Sequence, residues 1–368
     1  MISASWLPTQ LYIIFLVFIL PFGLSVFVTF LVKKLAIKLK IFDYPDKDRK
    51  LHQNPIPLLG GLGIFVSFWL MMVLYCNLIN NFTHLKLTQL WLIFFAGLIL
   101  MIVGYVDDAV RLKYQWRLLA SVVAVLLVLA GGLNFDGITN PFGGTIGLDF
   151  WKIHTQYFGT ILVGVDILAF LWLMGMMYTV KILDGLDGLS TGVVAIGAFS
   201  IAALAGGATK FHQLDVAMIA IILAMTCLGF LVLNFYPAKI FLGEGGGQFL
   251  GLMIGVLAIV AGSKIATALL VMAVPIVDLV WVIISRMFHG QSVAKGDRRH
   301  LHFRLVDIGL KQWQAVLIFY GFSALFGFSA LYMNSIFKII SLLLLVVAII
   351  AIEIYVSKRQ KYVREQKI

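Results

Sequence analysis

Of 368 residues, 61% are hydrophobic and only 12% charged, whereas a soluble domain carries about 45–50% apolar and about 25% charged residues. That balance excludes a water-soluble globular fold, and the long unbroken apolar runs exclude a membrane β-barrel, whose strands alternate polar and apolar residues. A formal net charge of +11 raises nucleic acid as a partner, but the placement of the charge decides that question.

A window of about 20 residues marks eleven apolar spans, near 9–32, 57–79, 87–106, 116–134, 158–179, 189–207, 214–234, 247–262, 265–285, 313–333 and 336–356. The expected fold is therefore all-α, a polytopic integral membrane protein with about eleven transmembrane helices. The first span is long and lacks a basic leader and a small-residue cleavage site, so it is expected to stay rather than be cleaved as a signal peptide. The longest hydrophilic intervals, 33–56, 135–157 and 286–312, read as loops. No repeat or soluble domain interrupts the pattern. Residues 1–356 are expected to form one membrane-embedded domain and 357–368 a basic cytoplasmic tail. Cys76 and Cys227 fall inside apolar runs and read as small core residues.

Lysine and arginine set the orientation. If the first span runs from outside to inside, all but five of the 28 basic residues lie in the cytoplasmic loops and the tail; the exceptions are Lys86, Lys152, Lys210, Lys264 and Lys338. Anionic lipid is the natural partner of such a charge bias, and nucleic acid is not needed. The acids played no part in that orientation and therefore test it. Asp107, Asp108, Asp184, Asp187, Glu244 and Asp297 all fall on the same face, with His52, His300 and His302. A channel or carrier would place acids near mid-membrane. Only Asp166 lies that deep, toward the outer half, and it reads as an internally paired structural acid.

Five loops carry candidate chemistry. The first, Asp43 to Pro57, is stiffened by prolines; its Arg49, Lys50 and His52 suit a phosphate, or equally a basic stop signal. The third span ends in Asp107-Asp108, adjacent carboxylates that repel unless a cation lies beside them. Mg²⁺ would serve, since it takes one or two carboxylates plus substrate phosphates, and so would ion pairs with Arg111, Lys113 and Arg117. Next comes Lys181-Ile182-Leu183-Asp184-Gly185-Leu186-Asp187-Gly188, with two carboxylates three residues apart, able to share a helical face. After the seventh span, Lys239 precedes Gly243-Glu244-Gly245-Gly246-Gly247, a glycine run opening a helix that exposes N–H groups to an anion. Finally Arg298, His300, His302 and Arg304 gather in one short stretch. Histidines among arginines suit a diphosphate, and the stretch lacks the further ligands of a structural zinc site.

In this order the motifs resemble the polyprenyl-phosphate N-acetylhexosamine-1-phosphate transferase family. Its members include the enzymes that initiate O-antigen, teichoic acid and related wall glycans, and the phospho-MurNAc-pentapeptide translocases. The carrying pieces are Asp43-Tyr44-Pro45 with Arg49-Lys50-Leu51-His52, Gly104 with Asp107-Asp108, Asp184-Gly185-Leu186-Asp187-Gly188, Asn234 to Phe241, and Asp297 to Leu305. The histidine run is more similar to the UDP-GlcNAc branch. The resemblance implies transfer of an N-acetylhexosamine 1-phosphate from its UDP carrier to polyprenyl phosphate, with release of UMP, by a membrane enzyme facing the cytoplasm of a bacterial cell. It implies Mg²⁺, with Mn²⁺ as a substitute, and leaves a homodimer open. By position it assigns Asp107 and Asp108 to the metal or to deprotonation of the lipid phosphate, and Glu244 to the metal shell. Asp184 and Asp187 would position the nucleotide. Lys50, His52, Lys181, Lys239, Arg298, His300, His302 and Arg304 would hold substrate.

The chain departs from the family pattern at five positions. Tyr178 and Lys181 stand where Asn is usual, Glu244 where Asp is usual, Gly247 where Ser is common and Phe303 in place of a last His. These departures bear on sugar specificity and metal stoichiometry. Lys181, Glu244 and Phe303 also motivate a competing reading, a non-catalytic member of the family; a transporter or lipid-binding protein on the same scaffold, dependent on Asp166 rather than Asp107, is the other.

Overall fold

The computed structural model describes residues 14–45, 52–78, 83–135, 138–139, 145–146, 152–155, 159–208, 213–262, 265–288, 290 and 299–365. A helix stands at each of the eleven expected spans. In order these are α1 (Leu20–Lys38, entered through a π turn at Phe15–Ile19), α2 (Gly60–Leu78), α3 (Leu87–Val110), α4 (Tyr114–Ala130), α5 (Val163–Leu183), α6 (Leu189–Ala203) and α7 (Leu214–Asn234). Then follow α8 (Glu244–Val260), α9 (Ile265–Val271), α10 (Ala273–Phe288), α11 (Leu301–Asp307), α12 (Gln312–Tyr332) and α13 (Ser335–Glu365). Among the described residues, 8 helices are long and apolar enough to cross a bilayer. Hydrocarbon imposes this architecture, because every backbone N–H and C=O must be bonded within its own segment. The chain is a multi-pass membrane protein.

Three segments differ from the hydropathy reading. The ninth span is two helices, α9 and α10, meeting at Met272. Pro275, in the first turn of α10, has no N–H to continue the ladder, and the carbonyl of Val271 instead accepts from Ser323 Oγ of α12 at 3.0 Å. The interval 286–312 is not all loop, since it holds α11. The fifth span begins at Val163 rather than 158, because Gly159–Leu162 pairs antiparallel with Lys152–Thr155.

The core centres on α8, in which every residue from Gly245 to Ile259 is buried. Helices α2, α3, α5 and α6 pack around it. Two glycine contacts make this possible. A Cβ at Gly104 of α3 would collide with the Gly245 backbone, and one at Gly61 of α2 with Gly246. Such small-residue seams let membrane helices approach closely where lipid gives no hydrophobic drive to associate. The outer faces of the bundle present Phe27, Leu70, Ile102, Leu126, Leu171 and Leu344, as lipid contact requires.

The two ends of the bundle differ. At one, Asp215 accepts from the backbone N–H of Thr83 at 3.1 Å and of His84 at 2.8 Å, and its other oxygen meets His84 Nδ1 at 2.8 Å. Asp166 accepts from Asn134 Nδ2 at 2.9 Å, the internal pairing expected of it. At the other end the C-termini of α3, α5, α7 and α10 meet the N-termini of α8 and α12 around a single cavity.

Candidate active site

The cavity measures about 1400 Å³ and gathers residues from all the polar loops of that end. One wall is acidic. Helix α3 stops just after Asp107 and Asp108, where Arg111 turns left-handed (φ 55°) and returns its N–H to the Asp107 carbonyl at 2.8 Å. Helix α8 starts at Glu244, directly after Gly243 at φ 80°. The Glu244 N–H donates to Asp108 Oδ1 at 3.2 Å, so a carboxylate of one helix caps the positive N-terminus of another.

Glu244 is itself engaged. Its Oε1 is ion-paired with Lys181 Nζ, accepts from Gln248 Nε2 at 3.3 Å and lies 3.7 Å from Arg117 Nη1. Arg117 also reaches Asp107 Oδ2 at 3.4 Å. Lys181 Nζ stands 5.3 Å from the centre of the Tyr178 ring.

Next to this wall, the Asp184–Gly188 turn joins α5 to α6, with Gly188 at φ 79° just before Leu189. Asp184 Oδ1 accepts from Ser190 Oγ at 2.7 Å. Desolvation pushes the Asp184 carboxyl up to about 7 against that hydrogen bond, with the charges of Asp187 and Glu244 adding to the rise. Asp187 Oδ2 accepts the Ala238 N–H at 2.9 Å, tying the turn to the loop after α7. Burial raises Asp187 as well, opposed first by that bond. Tyr320 of α12 donates to the Gly188 carbonyl at 2.6 Å and fixes the turn from behind.

The other wall is basic. His52 is held between Asp43 Oδ2 (Nε2, 3.0 Å) and the Asn54 carbonyl (Nδ1, 2.9 Å) by the short pairing of Phe42–Asp43 with Ile56–Pro57. Lys239 is exposed and lines the cavity. His300 lines it too, with Nδ1 3.1 Å from Asp278 Oδ2, while the other Asp278 oxygen accepts the Leu301 N–H at 2.9 Å.

Of the residues singled out from sequence, Asp107, Asp108, Lys181, Asp184, Asp187, Lys239, Glu244, His52 and His300 therefore share one cavity. His302 and Arg304 do not line it. His302 is fully buried, packed between the parallel ring of His300 and that of Phe303, and burial lowers its pKa to about 4, which keeps it neutral. Arg304 is ion-paired with Glu353 of α13 and donates Nη2 to the Glu353 carbonyl at 3.0 Å. Lys50 and Arg298 lie outside the described residues. The sequence reading assigned no role to Asp278, Gln312 or Glu353. A lone acid within an apolar span, as Glu353 is, was the available sign of a buried cation partner.

The sequence model of glycosyl transferase family 4 matches residues 90–262, the stretch that contributes Asp107, Asp108, Asp184, Asp187 and Glu244. Across a longer span, the chain is 30% identical over 335 residues to a probable undecaprenyl-phosphate N-acetylglucosaminyl 1-phosphate transferase of Bacillus subtilis, covering 89% of this chain and 87% of that protein. The chain belongs to glycosyl transferase family 4. Within the family it is also 30% identical to a decaprenyl-phosphate N-acetylglucosaminephosphotransferase of Mycolicibacterium smegmatis, over 81% of this chain and 76% of that one. It is 29% identical to a phospho-N-acetylmuramoyl-pentapeptide-transferase of Shouchella clausii, over 78% and 87%. The alignment with the Bacillus subtilis protein is too long to lie within the family-4 segment or to stop short of His300, so that part of the basic wall is within the same likeness.

Proposed function

We propose that this chain transfers an N-acetylhexosamine 1-phosphate, with N-acetylglucosamine 1-phosphate as first choice, from UDP to a polyprenyl phosphate and releases UMP. The observation that carries the reading is the cavity itself, which joins an acidic and a basic wall where the apolar spans end. Asp108 is the hinge of the argument. It lines the cavity and also an apolar crevice between α2 and α3 formed by Leu59, Leu62, Leu98, Met101, Ile102 and Tyr105. A soluble nucleotide and a lipid phosphate can meet there. The names of the relatives support the same reaction, and the lysine and arginine bias supports a cytoplasmic face in a bacterial cell membrane.

In this reaction a lipid phosphate oxygen attacks the sugar-bearing phosphorus of the nucleotide sugar. A new P–O bond forms, the bond to the oxygen bridging the uridylyl phosphate breaks, and UMP leaves with that electron pair. Most of the catalysis is positioning and charge neutralisation. Lys181, Lys239, Arg117 and His300 provide positive charge and donors around the diphosphate, Asp187 and Asp184 orient the nucleotide, and Asp108 accepts the proton of an acceptor phosphate that arrives protonated.

The donor set fits one Mg²⁺ held by Asp108 and Asp184. Both are hard oxygen ligands, and each spends one oxygen on a protein donor. No group of three or more such side chains among the described residues would hold an ion alone, which suits a metal that shares its shell with substrate phosphates. Bound there, Mg²⁺ would neutralise charge developing on the diphosphate; Mn²⁺ fits the same oxygens. Glu244, expected in that shell, is occupied by Lys181 and Arg117.

The test is purified protein in nanodiscs with polyprenyl phosphate, Mg²⁺ and a panel of UDP-sugars. UMP and lipid-linked sugar should both form with UDP-N-acetylglucosamine. Turnover confined to UDP-MurNAc-pentapeptide would move the chain to the other branch, and neither product with any donor would sink the reading.

A further inference from the structure

We propose that Lys181 is a resident cation for the nucleotide's diphosphate, so that this chain binds UDP without a divalent metal. The inference rests on the nucleotide-binding reading of the cavity and goes beyond it, because it assigns the charge that holds the diphosphate to the protein itself.

The acidic wall would repel a diphosphate unless positive charge stood within it. Lys181 stands there. It projects from the last turn of α5, and its side chain is 22% exposed, against 15% for Glu244. An ammonium has three donors, and the pair with Glu244 uses one. The pair is partly exposed, so moving the ammonium from carboxylate to phosphate costs less than it would for a fully buried pair. Glu244 remains compensated during such a move, since Arg117 Nη1 is 3.7 Å away and Gln248 Nε2 donates at 3.3 Å.

The local packing is built around this lysine. A Cβ at Gly247 would lie 3.1 Å from Lys181 Cα, so the absence of a side chain at 247 lets α8 lie close against the Lys181 backbone. The Tyr178 ring one turn back flanks the ammonium. Residues 178, 181, 244 and 247 come from two helices distant in sequence, yet they form one contiguous unit.

The simpler alternative is that the Lys181–Glu244 pair only fastens α5 to α8. The two accounts separate on UDP binding in chelator. Full-length protein in nanodiscs is titrated with UDP by calorimetry, in EDTA and in Mg²⁺. Wild type should bind in EDTA within about tenfold of its affinity in Mg²⁺. Lys181→Met should lose at least about tenfold in EDTA and still bind in Mg²⁺, and Lys181→Arg, which keeps the charge, should retain most of the EDTA affinity. Wild type that binds UDP only with Mg²⁺ overturns the proposal, whether or not the variants fold, and so does Lys181→Met with unchanged affinity in EDTA. UDP bound in neither condition overturns the functional reading, and this inference with it. UMP released in the transfer assay together with UDP bound only in Mg²⁺ leaves that reading standing and overturns this one.

Discussion

The two walls of the cavity use similar residues in opposite ways. On the acidic wall, Asp107, Asp108, Asp184 and Glu244 border the open space, and their partners Arg117 and Lys181 do too. On the basic wall His52, Lys239 and His300 reach the space, but within the His300–Arg304 stretch the neighbouring charges do not: His302 is buried behind His300 and Arg304 is turned to Glu353. Charges that border a cavity can exchange a protein partner for a ligand. Charges sealed in the interior cannot, because separating a buried pair leaves an uncompensated ion. A run of basic residues in sequence is therefore a mixture of groups that meet ligand and groups that hold those in place.

Removing charge from each wall should have different consequences. Asp108→Asn takes a carboxylate from the junction of cavity and crevice. It should cut UMP release about a thousandfold with little change in melting temperature, and full turnover would remove Asp108 from the mechanism. Arg304→Met should act on stability instead, lowering it by about 3 kcal/mol because Glu353 is left buried without its cation. A double variant with Glu353→Met should recover most of that loss. Thermal melts in detergent measure both, and a stable double variant that fails to bind UDP would place Arg304 at the ligand after all.

What was legible in the sequence follows from the range of the interactions. Hydropathy placed a helix at each of the eleven spans because burial in lipid is decided within a window of about 20 residues. The charge bias grouped Asp107, Asp184, Glu244 and His300 because loop polarity is also local. Pairing across the bundle was not legible. Gly159–Leu162 reads as the start of an apolar span, and only its partner strand 152–155 makes it a hairpin. Glu353 is one acid in a strongly apolar helix, too little to lower the average of its window, and its Arg304 partner lies 49 positions away. Lys181 and Glu244 each stand out in the sequence, but their contact depends on how α5 and α8 pack.

Asp278 links the two walls' logic, since it is buried and yet anchors His300, which lines the cavity. Asp278→Asn should reduce kcat about tenfold to a hundredfold, the range for a residue that orients a ligand-facing histidine, and should move KM much less. Asp278→Glu keeps the carboxylate and should lose less. An equal loss for both variants, accompanied by a lowered melting temperature, would show that Asp278 only holds α10 to α11.

The smallest effect should come from Gln312→Ala. Burial raises Asp187, and the bonds from Ala238 and Gln312 pull it back down. Without Gln312 the proton is held more tightly, so the ionised form that bonds the Ala238 N–H appears at higher pH. The acid limb of UMP release should shift upward. Linkage fixes the sign for stability as well. A carboxyl raised in the folded state binds its proton better than the unfolded chain does, so stability falls as pH rises from the ordinary carboxylate range to the folded value. Gln312→Ala should widen that window at its upper edge. Melting curves across pH would show the variant losing stability relative to wild type only toward the upper end, and a uniform loss at every pH would mean that Gln312 packs α12 rather than tuning Asp187.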